Sequence, residues 1–184
     1  FIEFYNPSTN RIDLSGVTVS TGIHFIFPDG SFIAPSGYAV IARNADLFEA
    51  RYQEIISPWY YADINVMGQW IPSESLDNGG ESITVLAADG SSIMSFSYSD
   101  GGGWPSRADG DGSSLQLIAA DEVPTTLAEK NNYLANAFYW QPSSEYHGSP
   151  GRAGTYSNVV INEILSHSDI GEDWIELYNL GAST

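Results

Sequence analysis

Turn residues interrupt this chain so often that only short extended segments fit between them, which restricts it to a fold of many short strands. Phe1-Ile2-Glu3-Phe4-Tyr5 stops at Asn6-Pro7-Ser8, and Arg11-Ile12-Asp13-Leu14 alternates and stops at Ser15-Gly16. The β-branched and small residues Val17 to Ser20 follow. Ile23 to Phe27 ends at Pro28-Asp29-Gly30, where proline fixes φ and glycine is free to make it positive. Phe32-Ile33-Ala34 meets Pro35-Ser36-Gly37, and Tyr38-Ala39-Val40-Ile41-Ala42 reads as a buried strand. Ser82 to Ala87, Ser92 to Tyr98, Ser114 to Ile118 and Val159 to Leu165 continue the series. Helical signals are short: Ala45 to Tyr52 with Asn44 as N-cap, and a weaker one near Thr126 to Asn136. Strand runs at this spacing, without long alternating helices, predict an all-β antiparallel sandwich or barrel. Two stretches break the rhythm. Ser57 to Ser75 carries Trp59, Tyr60, Tyr61 and Trp70 and is predicted to be a long loop, and Asp121 to Glu145 is irregular.

Charge narrows the partners. Twenty-three Asp and Glu face six Lys and Arg, a formal net charge of −17. Nucleic-acid binding needs a basic footprint to displace counterions, and anionic membranes repel an acidic surface, so both are excluded as expected partners. No apolar run approaches the length of a membrane helix, so no membrane insertion is expected. The absence of cysteine removes disulfides, thiolate chemistry and cysteine-based zinc sites. A length of 184 residues fits one domain, or one domain and a fragment. Phe1 already lies inside a strand pattern, and the chain is read as a piece of a larger polypeptide.

An internal repeat organises the chain. Phe1-Ile2-Glu3-Phe4-Tyr5-Asn6 returns as Trp174-Ile175-Glu176-Leu177-Tyr178-Asn179, with Ile, Glu, Tyr and Asn in register. Before the second copy stands Val159-Val160-Ile161-Asn162-Glu163-Ile164-Leu165, which has no counterpart before Phe1. The expected organisation is therefore a sandwich over 1–154 lacking its first strand. Residues 155–184 then form a linker and the opening hairpin of a second repeat. A sandwich missing a strand exposes an unpaired edge. Val159, Val160, Ile161, Asn162, Glu163, Ile164 and Leu165 are expected to complement it, within the chain or by strand exchange in a dimer.

The repeat start resembles the lamin-tail pattern of an "INEI" strand, a short loop and "WIELYN". Asp13-Leu14-Ser15-Gly16 is similar to the "DLSGW" element, with Val17 in place of Trp. Phe25-Ile26-Phe27-Pro28-Asp29-Gly30, Pro35-Ser36-Gly37-Tyr38 and Asn78-Gly79-Gly80-Glu81-Ser82-Ile83 resemble the next three elements in order. Trp104-Pro105-Ser106-Arg107-Ala108-Asp109-Gly110-Asp111-Gly112-Ser113-Ser114-Leu115 and the closing Gly148-Ser149-Pro150-Gly151 complete the set. The resemblance implies an immunoglobulin-like antiparallel β-sandwich without enzymatic activity. It further implies a structural or interaction module of an exported or cell-surface bacterial protein, acting beside neighbouring domains of the same polypeptide.

Candidate sites each have a plain structural alternative. Asp109-Gly110-Asp111-Gly112 opens like an EF-hand loop, so Asp109 and Asp111 are calcium candidates. Ala120 stands where the closing Glu is required, and a tight turn explains the same residues. No other cofactor is expected. Asp169, Glu172 and Asp173 form a second acidic loop, read as a solvated hairpin. His24, His147 and His167 lie at no metal-ligand spacing. Trp59, Tyr60, Tyr61 and Trp70 are ligand-binding candidates, for stacking on a polysaccharide or receiving a protein side chain. Their alternative role is to cap one end of the sandwich. Glu3 and Glu176 are expected to recur for outward solubility or a turn hydrogen bond.

Overall fold

A computed structural model describes residues 1–52, 64–154, 159–166 and 171–179. They divide into two compact units, Phe1–Gly154 and Thr155–Thr184.

In the first unit, β1 (Ile2–Tyr5), β6 (Tyr38–Ala42) and β7 (Val66–Gln69) form one sheet in the order β1-β6-β7. A second sheet has the order β4-β3-β8-β9, from β3 (Thr18–Thr21), β4 (Phe25–Ile26), β8 (Gly80–Leu86) and β9 (Ser92–Ser99). Two short pairs join β2 (Ile12–Asp13) to β5 (Phe32–Ile33) and β10 (Leu115–Leu117) to β11 (Trp140–Pro142). Among the described residues the helices are short: α1 (Ala45–Glu49), which runs into a π turn at residues 50–52, α2 (Leu127–Leu134) and 3₁₀ turns. Asn44 caps α1 as expected, its side chain accepting the Leu47 N–H at 2.9 Å.

The two large sheets share one core. Ile2, Phe4, Ala39, Ile41 and Met67 from the first meet Val19, Phe25, Ile83, Val85 and Phe96 from the second, around Phe27 and Trp70. Strand alternation explains the selection, because Ala39 and Ile41 point to one face of β6 while Val40 and Ala42 point to the other. That second face is also covered: Val40 and Ala42 pack with Phe48, Tyr52 and Ile64, backed by Phe1 and Val66. Burial on both faces is why β6 reads as an unbroken apolar run.

The pairing is antiparallel except for β6 with β7, which is parallel. β7 lies within the segment predicted to be loop. Gly68 in its centre, at φ +138, erased the strand periodicity, and a Cβ there would press on the Phe25 ring at 3.4 Å.

The turn motifs are physical clamps. Asp13 Oδ1 accepts the N–H and the hydroxyl of Ser15 at 2.9 and 2.6 Å. Ser15 Oγ then accepts the Gly30 N–H at 2.9 Å, tying two turns together. These hydrogen bonds hold the Asp13 carboxyl below its ordinary value.

The second unit contains β12 (Val159–Leu165) and β13 (Trp174–Asn179), paired antiparallel from Val159 opposite Asn179 to Leu165 opposite Trp174. A bulge falls between Ile161 and Glu163.

Candidate functional site

The repeated hexapeptide locates the site. β1 lies at the end of its sheet, with β6 as its ladder partner on one side and no strand on the other among the described residues. The Asn6 N–H donates to the Gly37 carbonyl at 3.0 Å, which sets the parity of the ladder. Ile2 and Phe4 consequently turn their backbone groups toward β6, and Glu3 and Tyr5 turn theirs toward the open edge. The side chains of Ile2 and Phe4 enter the core.

Glu3 lies on the opposite face and is not an outward solubilising group. It is largely buried, and desolvation pushes its carboxyl up from 4.5 to about 7. Its Oε2 accepts the Gly151 N–H at 2.5 Å, the turn hydrogen bond that was the other expectation. Gly151 belongs to the closing segment, in which Ser149 and Pro150 are fully buried. Ser149 Oγ accepts a hydrogen bond from Gln116 Nε2 at 2.7 Å. The φ of Gly151 is +82, and a Cβ there would lie 2.9 Å from Ile64 Cγ1, so glycine is required for the approach. One carboxylate thus joins the first strand to the last turn of the unit.

Asn6 completes the hexapeptide and is fully buried. Its Nδ2 donates to the carbonyls of Asn10, Ala34 and Ile33 at 2.7, 3.0 and 3.2 Å. Its Oδ1 accepts the Ser8 N–H at 2.9 Å and the Ser8 hydroxyl at 2.7 Å. The sequence marks Asn6 as a turn residue that recurs as Asn179, and gives no sign of its burial.

In the second unit the residue equivalent to Glu3 is Glu176, and Asn162 Nδ2 donates to its Oε1. Asn162 sits at the bulge of β12, so the strand paired with this hexapeptide brings an amide donor to the repeated glutamate.

The complementing strand Val159 to Leu165 has β13 as its ladder partner. That hairpin is the expected opening of the second repeat.

Trp70 is corrected as a ligand-stacking residue. Only 3% exposed, it belongs to the core and donates its Nε1–H to the Glu74 carbonyl at 3.2 Å. Buried on this scale, the ring has no face to offer a sugar. Trp59, Tyr60 and Tyr61 lie outside the described residues, as do Asp169 and His167.

Asp109 and Asp111 are exposed and flank Gly110, and both Gly110 and Gly112 have φ +86. That backbone is what a tight turn needs. Asp109 also borders a cleft of about 250 Å³ with Asp77 and Asp100. Among the described residues, no three His, Cys, Asp or Glu side chains come together in a metal-binding arrangement. Glu172 and Asp173 are exposed. His24 is on the surface, its Nδ1 2.8 Å from Glu74 Oε1. The His147 ring meets Arg51, and burial lowers its pKa.

Among the described residues no helix is long and apolar enough to cross a membrane. No curated protein and no solved structure matches the chain. Residues 1–100 match the family model for the Lamin Tail Domain, an immunoglobulin-like and non-enzymatic domain. That match covers more than half of the 184 residues and agrees with the two-sheet core, so the chain belongs to the Lamin Tail Domain family.

Proposed function

We propose that the chain is a non-catalytic structural and interaction module of a larger exported or cell-surface bacterial protein. Its partners are neighbouring domains of the same polypeptide and external protein. The observation that carries this reading is the second hexapeptide, held in a hairpin whose residues are almost all exposed. Ile161, Ile164, Ile175 and Leu177 are 57–65% exposed there, an apolar stripe that calls for cover by further protein surface, the rest of its own repeat included. The extracellular setting is what the resemblance of the ordered motifs to lamin-tail modules implies.

Deleting residues 1–184 from the full-length polypeptide tests the reading. Surface retention or assembly of the flanking domains is expected to fall while any turnover by those domains persists. Unchanged retention and assembly overturn it. A polysaccharide partner would have to use Trp59, Tyr60 and Tyr61 without Trp70, and a glycan array with wild type and Trp59→Ala tests that version.

A further inference from the structure

We infer that the free half of the β9 edge, Ser97 to Ser99, together with the cleft beside it, accepts an extended polypeptide segment that carries a basic side chain. The inference deepens the interaction-module reading and rests on it. Every residue involved lies inside the first unit, between Leu76 and Leu134.

The backbone supplies the first observation. β9 ends its sheet, with β8 on one side and no strand on the other among the described residues. Helix α2 covers only the first part of that edge. The Ser95 N–H donates to Asn131 Oδ1 at 2.8 Å, and Lys130 Nζ donates to the Ile93 carbonyl at 3.2 Å. Ser95 therefore turns its backbone away from β8. Ser95, Ser97 and Ser99 face Thr84, Ser82 and Gly80 in unbroken register, and outward groups recur at every second residue. The backbone groups of Ser97 and Ser99 thus point outward too, and no described residue bonds to them there. Ser97 is exposed. An edge guarded along half its length and open along the rest is a template for a short added strand.

The cleft is the second observation. Tyr98, Ser99 and Asp100 line it with Asp77, Pro105 and Asp109, so it begins where the open edge ends. A strand paired at Ser97 and running past Ser99 delivers its next side chain there. The volume is about 250 Å³. Pockets for independent small molecules run to roughly 300–1,000 Å³, so this one suits a single long side chain.

Charge selects that side chain. Three aspartates line the cleft, and no Lys, Arg or His is among the lining residues. Tyr98 feels the same field: burial first, then the Glu81 and Asp77 carboxylates, push its hydroxyl up to about 12. An arginine or lysine relieves the repulsion among the carboxylates while its stem lies against Tyr98 and Pro105. Ladder hydrogen bonds hold the segment, and the cleft chooses among segments.

Titrating the full chain with acetyl-Thr-Val-Arg-Val-Thr-amide, read by amide shifts and amide exchange, tests the proposal. Shifts at Ser97, Ser99 and Asp100 are expected to saturate, and exchange at Ser97 to slow by about tenfold or more in excess peptide. Ser97→Pro deletes an outward N–H without removing a bond to β8. It is expected to abolish the saturable shifts while the β8 amides stay protected. Asp100→Lys, and separately glutamate in place of the peptide's arginine, are each expected to weaken binding by about fivefold or more. Absence of saturable shifts at Ser97 and Ser99 overturns the proposal. Exchange at Ser97 that is already slow in the free monomer does so as well, because the edge is then filled. Equal binding of the arginine and glutamate peptides also overturns it, since the cleft then selects nothing. A two-chain mass with Ser97 protected before any peptide is added makes a second copy the occupant, against the proposal. The module reading is untouched by each of these results and stands on its own deletion experiment.

Discussion

Glu3 shows how a residue chosen for its charge comes to be held where that charge is costly. Burial raises its pKa from 4.5 to about 7, so the folded chain keeps the proton where the unfolded chain has released it. The stability it contributes is complete below pH 4.5 and is lost as pH rises through 7. Over that interval the loss is on the order of 2–3 kcal/mol, allowing for partial solvent access. Glu3→Gln keeps an acceptor for Gly151 and removes the titration. Urea denaturation at pH 5 and pH 8 should show the wild type losing more stability than the variant between the two. Equal losses would place Glu3 in solvent. Asn6 is the neutral counterpart, with both ends of its amide bonded inside the protein. Asn6→Ala leaves the Ile33 and Ala34 carbonyls without that donor, and a fall of roughly 2–4 kcal/mol in unfolding free energy is expected. The recurrence of both residues was legible in the sequence; their burial was not. It depends on Ile33, Ala34 and Gly151, which lie 27, 28 and 148 positions away.

At the scale of elements, legibility followed periodicity. β6 was readable as buried because both of its faces are apolar, and β8 and β9 because their runs are long. β7 was lost behind Gly68. β11 was lost because its three residues end on Pro142 and follow a 3₁₀ turn rather than an alternating pattern. Trp70 misled for a related reason: an aromatic between two turns reads as loop until β7 carries it into the core. The short helix α1 was found from its cap, yet its stability comes from Phe48, whose ring meets Phe1 at 5.3 Å and Tyr52 at 4.5 Å. Five residues do not hold a helix by propensity alone. Phe48→Ala is expected to cost roughly 3–5 kcal/mol by thermal or urea unfolding. Leu47→Ala, one position along and 69% exposed, should change stability by about 0.5 kcal/mol or less. Similar effects from the two would mean that α1 does not cover β6.

For the whole molecule the governing quantity is a net charge of −17 carried by 184 residues. Like charges repel more strongly in the compact state than in the expanded one, so folding works against this charge and dissolved ions relieve it. Screening depends on ionic strength, with a Debye length of about 30 Å at 0.01 M and about 8 Å at 0.15 M. The melting temperature is therefore expected to climb between those two sodium chloride concentrations and then level. Calcium gives a second reading from the same titration. If Asp109 and Asp111 only shape a turn, calcium chloride at matched ionic strength adds a small general increment, common to magnesium. If they bind the ion, stabilisation continues with calcium concentration by mass action and vanishes in Asp109→Asn. The exposed positions of both aspartates and the left-handed glycine that follows each of them favour the first result. A calcium-specific rise that Asp109→Asn abolishes would convert the turn into a site.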